Sequence, residues 1–236
     1  MAGDSDSDVL ILDRSSFSPI IIDSFDDFVD IEKEPQQSPR VWSLAFYQPY
    51  FRVSTQTVLE RLQKALLLRK GPLFEDYMPD LYGPFWIITT LIFVLAFAGN
   101  AGSYLESSEA WTPDVSSVMT ASSLLYCAAA ALPVYMYFVL SHNGSPATYI
   151  EVFSVYCYSF TVFIPFSFLC IVPNHLFRLF VTSAAVGVSL KLLHKTFWAD
   201  IEIVLKQSKY LHSAIGVSGH LTLWVLSNWY FFEGGS

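Results

Sequence analysis

Charge is scarce in this chain. Asp, Glu, Lys and Arg make up 14% of its 236 residues, against roughly a quarter in ordinary soluble domains. What charge there is gathers early: ten of the 21 acidic residues lie in positions 1–40. Beyond residue 80 the sequence is too apolar to make a water-facing surface, which excludes a soluble globular domain there. Cysteine is just as sparse. Cys127, Cys157 and Cys170 all fall inside apolar runs with no CxxC pair, so neither a disulfide framework nor a thiolate metal site is expected. They read as small packing residues in helices. A basic leader is missing too. Residues 1–20 are acidic and lack a continuous apolar core, so no cleavable signal peptide is expected and insertion falls to an internal membrane helix.

Catalytic patterns are also lacking. The five histidines, His142, His175, His194, His212 and His220, form no HExxH pair, and no GxSxG, P-loop or zinc pattern occurs. We therefore expect no enzyme, no cofactor, no metal and no nucleic-acid partner. His220, the one histidine deep in an apolar run, reads as an interhelical hydrogen-bonder. Glu151 and Arg178 are the charges closest to hydrocarbon. Both lie near helix ends, where a side chain can reach water, and Glu151 and Lys191 sit at a level where they can pair.

What the chain does have is long apolar runs. Phe85–Leu105 carries no charge over 21 residues. At about 1.5 Å per helical residue it spans roughly 30 Å, the thickness of a bilayer's hydrocarbon core. Further spans are expected at about 119–140, 149–172, 176–193 and 211–232. Pro133 and Pro165 fall inside the second and third, where a kink is expected. Small residues four apart (Ala98 and Gly102, Ser123 and Cys127, Ser183 and Gly187, Ala214 and Ser218) allow close helix approach. The fold class is thus all-α: a polytopic bundle of five transmembrane helices with a largely disordered cytosolic N-terminal arm.

Three regions follow from this. Residues 1–40 are an acidic, Pro- and Ser-containing arm holding two apolar–acidic mixes, Val9–Asp13 and Ile20–Glu32, of a kind that folds on partners or stays solvated. Residues 41–79 hold the aromatics Trp42, Phe46, Tyr47, Tyr50 and Phe51, expected to dock on the membrane surface or the bundle. An amphipathic helix follows them. Ser54 or Thr55 can cap it, Val58, Leu59, Leu62, Ala65 and Leu66 form its stripe, and Glu60, Arg61, Gln63 and Lys64 take the other face. That stripe can lie on lipid, bind a partner helix or pack on the rest of the chain. Residues 80–236 are the membrane domain. Between its last two spans Phe197, Trp198, Ile201, Val204 and Leu205 repeat the stripe between lysines, which predicts an interfacial helix in the headgroup layer, with Phe197 and Trp198 as interfacial residues.

Twelve of the thirteen Lys and Arg residues fall before the first span or between the fourth and fifth; only Arg178 falls on the opposite side. With five spans this bias predicts a cytosolic N-terminus and a lumenal C-terminus.

The approach to the first span is Asp80–Trp86, DLYGPFW. Gly83 permits a sharp turn, Pro84 suits a first helical turn, Asp80 complements the positive helix end, and Tyr82 and Trp86 suit a membrane boundary. This heptapeptide resembles the signature of the YIPF family, the Ypt/Rab-interacting multi-pass proteins of the early secretory pathway. Tyr156–Pro165, YCYSFTVFIP, is similar to that family's third-helix pattern of YGYS and an aliphatic–proline pair, and Thr196–Trp198, TFW, to the segment after its fourth helix. Cys157 stands where the family usually has glycine. The resemblance covers about Ala45 to Phe232. It implies a Golgi or endoplasmic reticulum membrane protein of vesicle-mediated transport, a platform for Rab GTPases that associates with lipids, with other YIPF-type proteins and in homo- or hetero-oligomers. Asp80, Leu81, Tyr82, Gly83 and Pro84 are then the partner-binding candidates, and Tyr156, Tyr158, Ser159 and Pro165 a helix-packing signature. A small transporter or channel, or a membrane-shaping protein, is the alternative.

Overall fold

The structure is a computed structural model that describes residues 42–69, 73–74, 78–107, 111–205 and 209–233. The acidic arm and the Gly71-Pro72 end of the amphipathic helix lie outside the described residues. Every regular element among the described residues is helical: α1 Leu44–Phe51, α2 Thr55–Leu67, α3 Tyr82–Glu106, α4 Ser116–His142, α5 Tyr149–Ser159, α6 Phe163–Leu169, α7 His175–Leu205 and α8 Lys209–Asn228. A 3₁₀ turn, Phe160–Val162, joins α5 to α6, and a π turn, Trp229–Glu233, follows α8.

Four helical stretches are long and apolar enough to cross a membrane: Tyr82–Glu106, Ser116–His142, Tyr149–Leu169 and His175–Trp198. The fifth expected span is α8. Its His212, His220 and Asn228 dilute its apolarity, yet its 20 residues still cover roughly 30 Å. It also runs the length of the bundle. Tyr210, at its start, lies by Trp198 near the end of α7, and Phe232 beyond it reaches Arg178 at the start of α7. Five helical passages therefore build the bundle.

The core is apolar and aromatic, with Leu91, Leu140, Tyr156, Tyr158 and Phe160 almost wholly enclosed. Phe93, Phe97, Phe138 and Phe180 are each more than half exposed on the outer faces of the spans, as a lipid-facing surface requires. Several hydroxyls within the spans donate to the carbonyl one turn back, as Thr89 does to Phe85 at 2.8 Å and Ser167 to Phe163 at 2.7 Å, which satisfies these without water, whereas the buried hydroxyls of Thr161 and Ser189 have no partner. Pro165 lacks an N–H and its ring crowds the carbonyl of Thr161. The 3₁₀ turn at Phe160–Val162 absorbs that crowding, while α4 runs through Pro133 unbroken. Of the four small-residue pairs, only Ala98 and Gly102 face inward; the other three lie mainly on exposed faces.

The expected interfacial helix is not a separate element. Helix α7 continues without a break through the lysine-flanked stripe to Leu205, because no Gly or Pro interrupts residues 188–205. Phe197 and Ile201 turn inward and are buried, Phe197 against the Tyr156 ring at 6.0 Å. Trp198 is only partly buried and stacks on His194 at 4.6 Å.

Candidate functional site

The segment leading into α3 is knotted to two other helices through one carboxylate. Asp80 is 1% exposed. It forms an ion pair with Arg61 of α2, accepts from the Tyr158 hydroxyl of α5 at 3.0 and 3.2 Å, and accepts from the Gly83 N–H at 2.7 Å. Its backbone carbonyl takes the Ser154 hydroxyl at 2.7 Å. A carboxylate offers about four acceptor positions, so this one is fully engaged. The Gly83 bond also satisfies an N–H at the start of α3, where the helix itself supplies no partner.

Arg61 is as well enclosed as its partner, at 3% exposure. Its second nitrogen donates to the Met78 carbonyl at 3.0 Å. Its guanidinium lies 4.7 Å from the centre of the Phe74 ring, which meets Tyr158 edge-on at 6.3 Å. The expected assignment of Arg61 to the outer face of α2 is therefore corrected. Arg61 lies one turn from Val58 and Ala65 at helical spacing, so it shares their inward face and carries its charge to Asp80. Leu59, counted in the apolar stripe, is instead 53% exposed. Ser54 does cap α2, accepting the Thr57 N–H at 3.1 Å.

Gly83 is where space decides the residue. A Cβ built there meets the Tyr158 hydroxyl oxygen at 2.1 Å and an Asp80 carboxylate oxygen at 2.9 Å. Only glycine lets α3 approach α5 closely enough for Tyr158 to reach Asp80. The two quoted stretches, DLYGPFW and YCYSFTVFIP, are thus halves of one contact. Asp80, Gly83 and Pro84 are buried, Leu81 is partly buried with its N–H on the Tyr50 carbonyl at 2.9 Å, and Tyr82 is exposed and edge-on to Trp86. Tyr156, Cys157, Tyr158 and Ser159 are buried, and Pro165 is exposed.

Arg178 forms a second clasp at the opposite end of the bundle. It does not reach water, as its place near a helix end suggested; it is 5% exposed. It donates to the carbonyls of Cys170 and Val172, both at 3.0 Å, to that of Phe232 at 3.1 Å and to the Glu106 carboxylate at 3.3 Å. The chain past α6 and past α8 ends here with carbonyls that have no further helical turn to bond them. The planar guanidinium, with five N–H groups, gathers them. Burial pushes the Cys170 thiol up to about 11, so this cysteine stays neutral. Glu151 and Lys191 form no ion pair in this structure.

His220 is 1% exposed between the Tyr156 and Phe160 rings, at 5.9 and 5.8 Å. Neither ring nitrogen has a hydrogen-bond partner, so the expected interhelical bond is not made. The imidazole borders a cavity of about 40 Å³ whose polar edge is Thr182, Trp224 and Asn228, themselves linked at 3.0 and 3.1 Å. Among the described residues no group of three or more His, Cys, Asp or Glu could hold a metal ion.

Residues 66–232 match the family model of the Yip1 domain. The chain is 27% identical over 200 residues to the protein YIPF1 homolog of Dictyostelium discoideum, covering 83% of this chain and 57% of that protein. It is 24% identical over 160 residues to protein YIP5 of Schizosaccharomyces pombe, covering 63% and 64% respectively. The chain thus spans less than two thirds of the length of either relative. No solved structure matches it. With a match that takes in the first span, the Tyr158 partner and the Arg178 clasp, the chain belongs to the Yip1 domain family, a family of multi-pass membrane proteins.

Proposed function

We propose that this protein is a platform for Rab GTPases in vesicle-mediated transport at Golgi and endoplasmic reticulum membranes, with the α2 end of the bundle in the cytosol. The Arg61–Asp80 knot carries this reading, because it fixes α2 rigidly at the end of the bundle where Lys and Arg collect. Lys195, near the end of α7, donates to the Arg69 carbonyl just past α2 and binds the same cap. Asp80, Gly83 and Pro84 are buried, so their part in recognition is to hold that cap in place. The touching surface is Tyr82 together with the outer face of α2, where Leu59 and Leu67 are 53% and 63% exposed. Unpaired apolar side chains on a cytosolic helix suit a protein partner.

Affinity capture from gently solubilised membranes tests this. The native chain should retain a small GTPase, and Leu59→Glu with Leu67→Glu should lose it while the bundle stays folded. A native chain that retains none overturns the reading. Transport is the alternative, and His220 is the residue that would carry it. Its cavity is lined by no Asp, Glu, Lys or Arg, and ion pathways through a bilayer draw on such charge. The platform is therefore the better supported reading.

A further inference from the structure

At the Arg178 end of the bundle a groove of about 570 Å³ opens between α3 and the segment leading into α4. Its wall at span depth is Phe93 and Phe97. Its rim is Tyr104, Trp111 and Asp114. Tyr104 and Trp111 meet edge-on with ring centres 5.3 Å apart, a contact that occupies one ring face of the four. The Asp114 carboxylate is exposed, and it accepts only from neutral donors: the Ser116 N–H and hydroxyl, and the Tyr230 hydroxyl at 3.4 Å. No cation among the described residues pairs with it.

The rim is also held in place before anything binds. Asn100, in the last turns of α3, accepts the Asp114 N–H at 2.7 Å and donates to the Asp114 carbonyl and the Ser117 hydroxyl, both at 3.0 Å. That two-sided grip pins the segment before α4 against α3. The groove therefore keeps its shape without a ligand.

We propose that this groove binds a phospholipid with a choline headgroup. The two chemistries occur in the order such a lipid presents them along the membrane normal. An uncompensated carboxylate beside two aromatic rings stands at the span end, and an apolar aromatic wall runs inward from it. A quaternary ammonium cannot donate a hydrogen bond, so it is recognised by negative charge and by ring faces. The volume lies within the range of small-molecule sites. An anionic headgroup would meet Asp114 with like charge, and a primary ammonium, being strongly hydrated, would give up hydrogen-bonded water to sit against the rings.

The test is native mass spectrometry of the full chain in mild detergent with equimolar dioleoyl phosphatidylcholine, phosphatidylethanolamine and phosphatidylglycerol. The choline lipid should be retained about five- to tenfold over the glycerol lipid, and more than the ethanolamine lipid. Asp114→Asn and Trp111→Leu should each remove most of that preference, while Trp86→Leu, at the opposite end, should keep it. If Trp111→Leu fails to fold by circular dichroism, Tyr104→Leu takes its place. Equal retention of the three lipids, a preference for either of the others, or a choline preference that survives the rim variants overturns the proposal.

Discussion

The Tyr158 hydroxyl lies 3.0 Å from the Asp80 carboxylate across 78 residues of sequence. That bond and the Arg61 ion pair converge on one side chain, so α2, α3 and α5 are held together by a single buried anion. Removing one partner of such a pair leaves the other charge buried and unmatched, which costs about 3–5 kcal/mol.

Arg61→Met and Asp80→Asn should therefore each lower the thermal midpoint in detergent strongly. The double variant should lose much less than the sum of the two, because it leaves no orphan charge. Additive losses would show that the two side chains act independently.

Gly83→Ala should separate α3 from α5. Its Cβ meets Tyr158 at 2.1 Å, and overpacking of this kind costs about 1–3 kcal/mol. Tyr158→Phe alone should not restore the variant, since the ring carbon behind the hydroxyl is still only 2.6 Å away. Shortening the side chain, as in Tyr158→Ala, should relieve the clash, read as recovered crosslinking between cysteines placed on α3 and α5.

Arg178→Lys should behave almost as badly as Arg178→Met, with a loss of about 2–4 kcal/mol. A single ammonium cannot reproduce the forked geometry that reaches carbonyls on separate segments. Gly102→Ala should act in the same direction, because its Cβ meets the guanidinium at 2.7 Å. Full stability of the lysine variant in a thermal melt would refute a role for that geometry.

Orientation has its own reporter. Asn143-Gly144-Ser145 is a formal glycosylation acceptor in the short connection between α4 and α5, at the α2 end of the bundle. With that end cytosolic, as the twelve-to-one Lys and Arg bias predicts, Asn143 should stay bare. An acceptor engineered near Glu109, with enough spacer from the bilayer, should be modified. Glycan on Asn143 would put the α2 cap in the lumen and remove the proposed GTPase platform.

The spans were legible because runs such as Phe85–Leu105 admit no other reading. The Ser54 cap was legible for a local reason, since its partner lies three residues away. Arg61 was not. A helical stripe is recognised by its apolar members, and a lone cation among them counts as a polar face until its partner is known. That partner lies 19 residues on, beyond any helical spacing. The stripe at Phe197–Leu205 was recognised, but as a separate element, because lysines at 191 and 195 mark a membrane boundary without ending a helix. The two motifs were each visible. Their contact was not, because Gly83 explains itself only once Tyr158 is opposite it.

The position of Arg61 bears on how this protein can be cut. The Yip1 match begins at residue 66, inside α2 and five residues past Arg61, which supplies the cation to Asp80. A fragment trimmed to the match keeps the anion, its tyrosine and its glycine, and discards the guanidinium that, among the described residues, neutralises Asp80. The autonomous folding unit must begin upstream of Ser54, so that α2 retains both its cap and its arginine. Recombinant versions started at 53 and at 66 should differ in yield and monodispersity far more than thirteen surface residues would warrant.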